Sequence, residues 1–272
     1  MAGATNAVLK VQLDGSTAGP DADGLIIKGV SNVTIRGLVI NRFDRSGIFL
    51  TSTDGSDNNH IEGNFLGTNA AGTAVDANEG DGVIINGPSS TGNIIGGTTP
   101  AARNLIAGNE EQGVEISASG SNKVQGNLIG TDKNGTADLG NQQDGIRING
   151  FKNVVTNNIV AFNDDNGVEV FKSGTITPVG NRILSNSIFD NQALSLDFND
   201  ATDAPPEGRE QDLKDPDTGP NNLQNFPVIT AATSTGTTTT ITGTLRSKPL
   251  KSFTVQLFSN PLLTNEGKTF LG

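Results

Sequence analysis

The 272-residue chain has no Cys, Trp or Tyr, and only one His and one Met. Without Cys there is neither a disulfide framework nor a thiolate metal site. The single His60 leaves no second imidazole for a multi-His centre, and neither Ser46 nor Ser195 has a partner for Ser–His–Asp chemistry. Basic residues are few: 18 Lys and Arg stand against 29 Asp and Glu, a net charge of −11. That balance disfavours nucleic acid and anionic membrane surfaces, whose phosphates are held by cations. No apolar run nears the roughly 18 residues of a spanning helix, so no membrane insertion is expected. The opening MAGATNAVLKVQLDG lacks the basic start and apolar core of a signal peptide. It reads as the inside of a strand-and-turn region, as in a piece of a longer polypeptide. Apolar residues make up 33% and aromatics 4%, thin for wide packed layers, whereas Gly (35) and Asn (31) abound. Such a chain turns often and makes short strands.

Self-comparison shows why. A shift of 63 places GNFLGTN (63–69) on GNLIGTD (126–132) and DGVIING (81–87) on DGIRING (144–150). A shift of 54 places NLIAGNEEQGVEISASG (104–120) on NIVAFNDDNGVEVFKSG (158–174). The chain is a repeat protein. One unit begins with Asn and places Ile or Val two or three residues on, as at Asn32, Asn59, Asn122, Asn153 and Asn181. A second is Gly followed by alternating apolar residues: GIFL at Gly47, GVII at Gly82, GVEI at Gly113, GIRI at Gly145 and GVEV at Gly167. Alternation over four or five residues is a strand period, too short for a helix. A third apolar pair, as in NLIGT, lies between them.

Three short strands per turn, punctuated by Gly and Asn, describe a coil of a parallel β-helix. Inward Ile, Val and Leu stack on their equivalents about 4.8 Å away along the axis. Gly and Asn tolerate the left-handed corners. The expected fold is all-β: a right-handed solenoid of about six coils, with Ile35, Ile61, Val124, Val155 and Ile183 as one interior column. The helix is assigned to residues 1–200 and an acidic Pro/Gly linker to 201–225. Residues 226–272 are assigned to an antiparallel segment, either a cap on the last coil or the start of a β-sandwich cut off at Gly272.

Residues from about 30 to 226 resemble the right-handed parallel β-helix repeat proteins of large secreted or cell-surface bacterial polypeptides. The resemblance rests on the Asn–x–Ile–x–Gly–Asn–x–Ile–Gly–Thr pattern at 59–68 and 122–131 and on the Asp–Gly–Val units at 81–85 and 144–148. DPDTGPNNLQNFPVIT (215–230) resembles the segment that follows the helix in such proteins. It implies the fold and a secreted or surface location, while the architecture itself hosts enzymes and binding proteins alike.

Chemistry is sought in the acids. Asp144 and the pair Asp164–Asp165 lie one coil apart, each ahead of a Gly–Ile/Val strand, so they should project near one another. Close carboxylates divide into acid and base because repulsion raises one pKa. The arrangement is similar to that of the pectin-cleaving polygalacturonases, but the His–Gly and Arg–Ile–Lys elements of that family are missing. Turn-forming acids before a strand are the simpler account. For a metal, Asp215, Asp217 and Asn221 in the linker have the oxygen ligands that Ca²⁺ takes, as do Asp197, Asp200 and Asp203. Neither set has a full calcium loop. GGTTPAARN (96–104) follows no strand–loop–helix pattern and cradles no phosphate. The functional expectation is a non-catalytic scaffold or binding segment for polysaccharide or cell-surface glycan, or for adhesion. The alternative is a polysaccharide hydrolase or lyase using the clustered Asp residues.

Overall fold

The computed structural model describes residues 3–51, 54–200, 212–260 and 266–272. Three parallel sheets wind about a common axis. Sheet one comprises Val11–Asp14, Leu38–Asn41, Phe65–Leu66, Leu105–Ile106, Leu128–Ile129, Ile159–Ala161 and Ser187–Phe189. Sheet two comprises Leu25–Lys28, Ile48–Thr51, Val83–Asn86, Val114–Gly120, Ile146–Phe151, Val168–Lys172 and Leu196–Asp200. Sheet three comprises Thr34–Arg36, His60–Glu62, Ile94–Gly96, Lys123–Gln125, Val154–Thr156 and Arg182–Leu184. Each coil takes one strand from sheets two, three and one in turn, and the six strands of sheet three mark six complete coils. The fold is the expected parallel β-helix.

The interior column of sheet three runs Ile35, Ile61, Ile95, Val124, Val155, Ile183 in direct register. Ile95, within NIIGG, completes the five expected positions. Corner asparagines form three ladders up the stack. In one, the side-chain amides of Asn64, Asn104, Asn127 and Asn158 each donate to the next asparagine's Oδ1, ending at Asn186, over 2.9–3.2 Å. In another, Asn78, Asn109, Asn141, Asn163 and Asn191 do the same. The third runs from Asn59 through Asn93, Asn122 and Asn153 to Asn181, with the rung from Asn122 to Asn153 Oδ1 made by the Asn122 backbone N–H. Most of these amides also donate to a backbone carbonyl, as Asn64 does to Ile35 and Asn104 to Ile61, so the corner asparagines are held without water. Gly126 shows why glycine alternates with these asparagines. Its φ is +69°, and a Cβ there would meet the Gly97 carbonyl oxygen at 2.0 Å.

A second apolar layer lies outside sheet one. Val39, Phe65, Leu105, Leu128 and Ile159 stack in register, pointing away from the axis, and all are buried. Ala7 and Leu9 of the N-terminal segment and Leu139 of the 131–139 loop pack over this layer. The N-terminal strap is pinned by Thr5 N–H to the Lys133 carbonyl (3.0 Å) and by the Arg103 guanidinium to the Gly3 carbonyl (3.0 Å).

The tail divides. Phe258–Ser259 and Thr269–Phe270 pair antiparallel, and Gly267 bridges Ile188 on the edge of sheet one. Lys268 lies over the Phe189 ring, 4.2 Å from its centroid. This part lies against the last strand of sheet one. Val228–Ser234 and Thr239–Thr244 form a separate hairpin exposed along its whole length. Within the expected linker, the described residues from 212 on lie against the solenoid end. Asn221 accepts from the Asn181 N–H at 2.9 Å, adding a further rung to the third ladder, and Asp215 and Asn225 are buried.

Candidate functional site

The corner leading into sheet two is built the same way in four successive coils. A ladder asparagine is followed three residues later by a polar residue and then glycine: Asn78/Asp81/Gly82, Asn109/Gln112/Gly113, Asn141/Asp144/Gly145 and Asn163/Asn166/Gly167. The glycine is forced by stacking, since a Cβ at Gly145 would sit 2.4 Å from Val160 Cγ1. The polar residue before it accepts the backbone N–H of its successor one coil on. Ser46 N–H donates to Asp23 Oδ1 (3.1 Å), Gln112 N–H to Asp81 Oδ1 (3.0 Å), Asn166 N–H to Asp144 Oδ1 (3.1 Å) and Leu194 N–H to Asn166 Oδ1 (3.1 Å). Asp144 thus holds a structural position that Asn166 fills in the next coil.

Of the three acids singled out in the sequence, the structure brings two together. The Asn166 side-chain amide donates to both Asp144 Oδ1 (3.1 Å) and Asp165 Oδ1 (3.2 Å), so the two oxygens lie within two hydrogen-bond lengths of each other. Asp164 is exposed, and its backbone N–H donates to the Asn141 carbonyl; it is aligned with Gln142, a residue earlier in the turn than Asp165.

Three participants, Glu115, Arg147 and Glu169, were hidden in the variable positions of the Gly–Ile/Val strands. Glu115, Arg147, Glu169 and Asp197 stack in register on the outer face of sheet two. Arg147 Nε donates to Glu169 Oε2 at 2.9 Å and lies 3.9 Å from Asp144 Oδ2. Its guanidinium covers the Phe171 ring, 4.0 Å from the centroid, and the Asn199 amide donates to Glu169 Oε1 at 2.9 Å. The signal was present in the sequence: the middle letters of GVEI, GIRI and GVEV read Glu, Arg, Glu.

Electrostatics follow burial. Desolvation, then the charges of Glu169 and Asp165, push the Asp144 carboxyl up to about 7 against the Asn166 hydrogen bonds. Asp81 is pushed up to about 8, first by burial and then by Glu115 and Glu111, with the Gln112 N–H and Arg147 opposing. Asp165 and Glu115 are also raised, chiefly by burial, with Arg147 offsetting part of the rise in each. A buried acid pushed up to about 7 is one half of an acid–base pair. Access is against it. Asp144 is only 3% exposed, so anything lying on this face meets Asp165, Glu115 and the Arg147 edge first.

The expected metal residues separate. Asp215 and Asp217 come together with Asp212, one carboxylate oxygen of each lying within 4.8 Å of the others. Three such oxygens have the chemistry of a hard-cation site. The Asn221 amide is engaged elsewhere, with the Asn181 backbone on both sides. Asp215 accepts from the Asn225 N–H at 3.2 Å and from the Ser247 hydroxyl. Asp197 belongs to sheet two, and Asp203 and the Asp200 side chain lie outside the described residues. His60 is exposed on the outer face of sheet three, in register with Thr34 and Ile94.

Among solved structures, a variant of the periplasmic alginate epimerase AlgG aligns with a TM-score of 0.52 at 19% identity, covering 68% of this chain and 37% of that one. Two further structures of that epimerase align at TM-scores of 0.41 and 0.40, with 17% and 18% identity. They cover 64% of this chain and 46% and 42% of theirs. The likeness is one of fold, and this chain spans less than half of those proteins. No curated protein matches the sequence. The solenoid itself, residues 5–197, matches the family described as NosD, periplasmic copper-binding protein, and the chain belongs to that family.

Proposed function

We propose that the chain is a non-catalytic β-helical binding scaffold of the bacterial periplasm or cell exterior, and that the outer face of sheet two holds an extended neutral polysaccharide. The observation that carries this reading is the uncovered row Ile26, Phe49, Ile84, Glu115, Arg147, which continues to the Phe171–Arg147 stack. Sugar rings present apolar C–H faces and hydroxyls, which suit apolar and aromatic side chains beside a forked donor. Glu115, Asp165 and Glu169 outnumber Arg147 here, so an acidic polymer is repelled. The location agrees with the periplasmic description of the family. Among the described residues no helix is long and apolar enough to cross a membrane.

The family's copper does not transfer to these residues. Copper sites are built from imidazole, thiolate and thioether groups. This chain offers one exposed His, one Met and no Cys. Calcium at Asp212, Asp215 and Asp217 is retained in the proposal as a structural cation, read out as a rise in melting temperature on titration.

The second reading, a polysaccharide hydrolase, is favoured by the meeting of Asp144 and Asp165. Affinity electrophoresis on a panel of neutral and acidic polysaccharides separates the two. Retardation by a neutral polymer that weakens in Arg147→Ala, without reducing-end release, supports binding. Turnover that vanishes in the Asp144→Asn, Asp165→Asn double variant would establish the hydrolase, and no retardation by any polymer would end the binding reading.

A further inference from the structure

The C-terminal end of the solenoid carries an open cavity of about 580 Å³. Its floor is the cut end of the core: Ile183 terminates the sheet-three column, and Leu196 and Phe198 terminate two columns of sheet two. Residues from the 215–227 and 248–254 stretches make the opposite wall. The volume falls in the range of small-molecule sites.

Most of the charged side chains that line the cavity are cations. Arg182, Lys248 and Lys251 all line it, and none of them is in an ion pair among the described residues. The protein as a whole carries −11, so three unpaired cations around one cavity do not reflect its average surface. The wall also carries the acid Asp215, which accepts from the Asn225 N–H and the Ser247 hydroxyl, so the lining cations outnumber the lining acid three to one.

We propose that this cavity binds a small organic anion with an apolar body. The body would lie on Ile183, Leu196 and Phe198, where it completes burial of the core end. The carboxylate, sulfate or sulfonate would be held by Lys248, Lys251 and Arg182. This site is separate from the sheet-two face and does not depend on it.

The dye anilinonaphthalene sulfonate is a probe of this class, an aromatic body with one sulfonate. Titrated into the folded chain, it should show one saturable site by fluorescence and raise the melting temperature. The Lys248→Glu, Lys251→Glu double variant, altering partly or fully exposed side chains, should weaken binding by about tenfold, as should raising the salt concentration. The control double variant Lys123→Glu, Lys133→Glu should bind as the wild type does. Absence of a saturable site, or equal affinity in the two double variants, would overturn the proposal. So would a concentration-dependent dimer in sedimentation that excludes the dye, since the cavity would then be the seat of a second copy.

Discussion

The outer faces of sheets one and two begin from the same backbone and reach opposite ends. Outside sheet one, Phe65 is 1% exposed and Leu105 and Leu128 are fully buried, because the N-terminal strap and the 131–139 loop lie across them. Outside sheet two, Ile26 is 56% exposed, and Phe49, Ile84, Glu115 and Arg147 all remain partly open to solvent. A β-helix needs only its inward residues for a core, so what covers an outer face is an independent feature of the sequence. Where loops and an apolar column coincide, the outside becomes a second core. Where they do not, the face is free to meet a ligand, and charge accumulates on it.

The strongest way to break this comparison is to place a charge on each face. Leu128→Asp should destabilise the chain by about 4 kcal/mol or more, since it buries an unpaired carboxylate in the covered layer. Ile26→Asp, on the bare face, should stay within about 0.5 kcal/mol of wild type. Urea midpoints with unchanged slopes measure both. Equal losses would mean that the two faces do not differ as described.

A smaller effect isolates the strap. Leu9 is partly buried over the sheet-one layer, and Leu9→Ser should cost about 1 kcal/mol by the same measurement, through lost apolar burial. A neutral result would assign the cover to the loops alone.

The fold was legible in the sequence because the β-helix repeats its instructions. The Asn–x–Ile/Val units located sheet three and the Gly-led units sheet two, and the register of Ile35 through Ile183 followed from alignment alone. Two features were harder to read. The pair Leu128–Ile129 carries two adjacent apolar residues, which means burial on both faces of the strand. Nothing local says that residues 120 positions earlier provide the outer cover. The candidate site was legible as to Asp144 and Asp165, whose spacing is one coil. Its centre was not, since Glu115, Arg147 and Glu169 occupy positions that vary between repeats, and repeat analysis treats variation as noise. The same analysis could not distinguish Asp144 as chemistry from Asp144 as corner, because a carboxylate and an amide oxygen accept the same backbone N–H.

That equivalence gives the most delicate test, and it compares the corner below the bare face with the asparagine ladder beside it. An unfolded aspartate titrates near 3.9, while in the fold burial and its acidic neighbours push Asp144 up to about 7. Between those values the folded chain holds a proton that the unfolded chain has released. The stability contributed by this group is therefore fully present below the unfolded value and is lost as the pH rises through 7. Asparagine at this position keeps the Oδ1 acceptor for the Asn166 N–H and amide and carries no charge to bury. The main loss is the distant contact to Arg147, which is held more closely by Glu169. Asp144→Asn should accordingly match wild type at about pH 4 and below and exceed it at pH 8, by on the order of 1 kcal/mol given that Asp165 and Glu169 share the coupled titration. Melting temperatures across that range decide the matter. A variant less stable than wild type at pH 8 would show that the Asp144 carboxylate is held there by an interaction that an amide cannot supply, which would strengthen the hydrolase reading of this face.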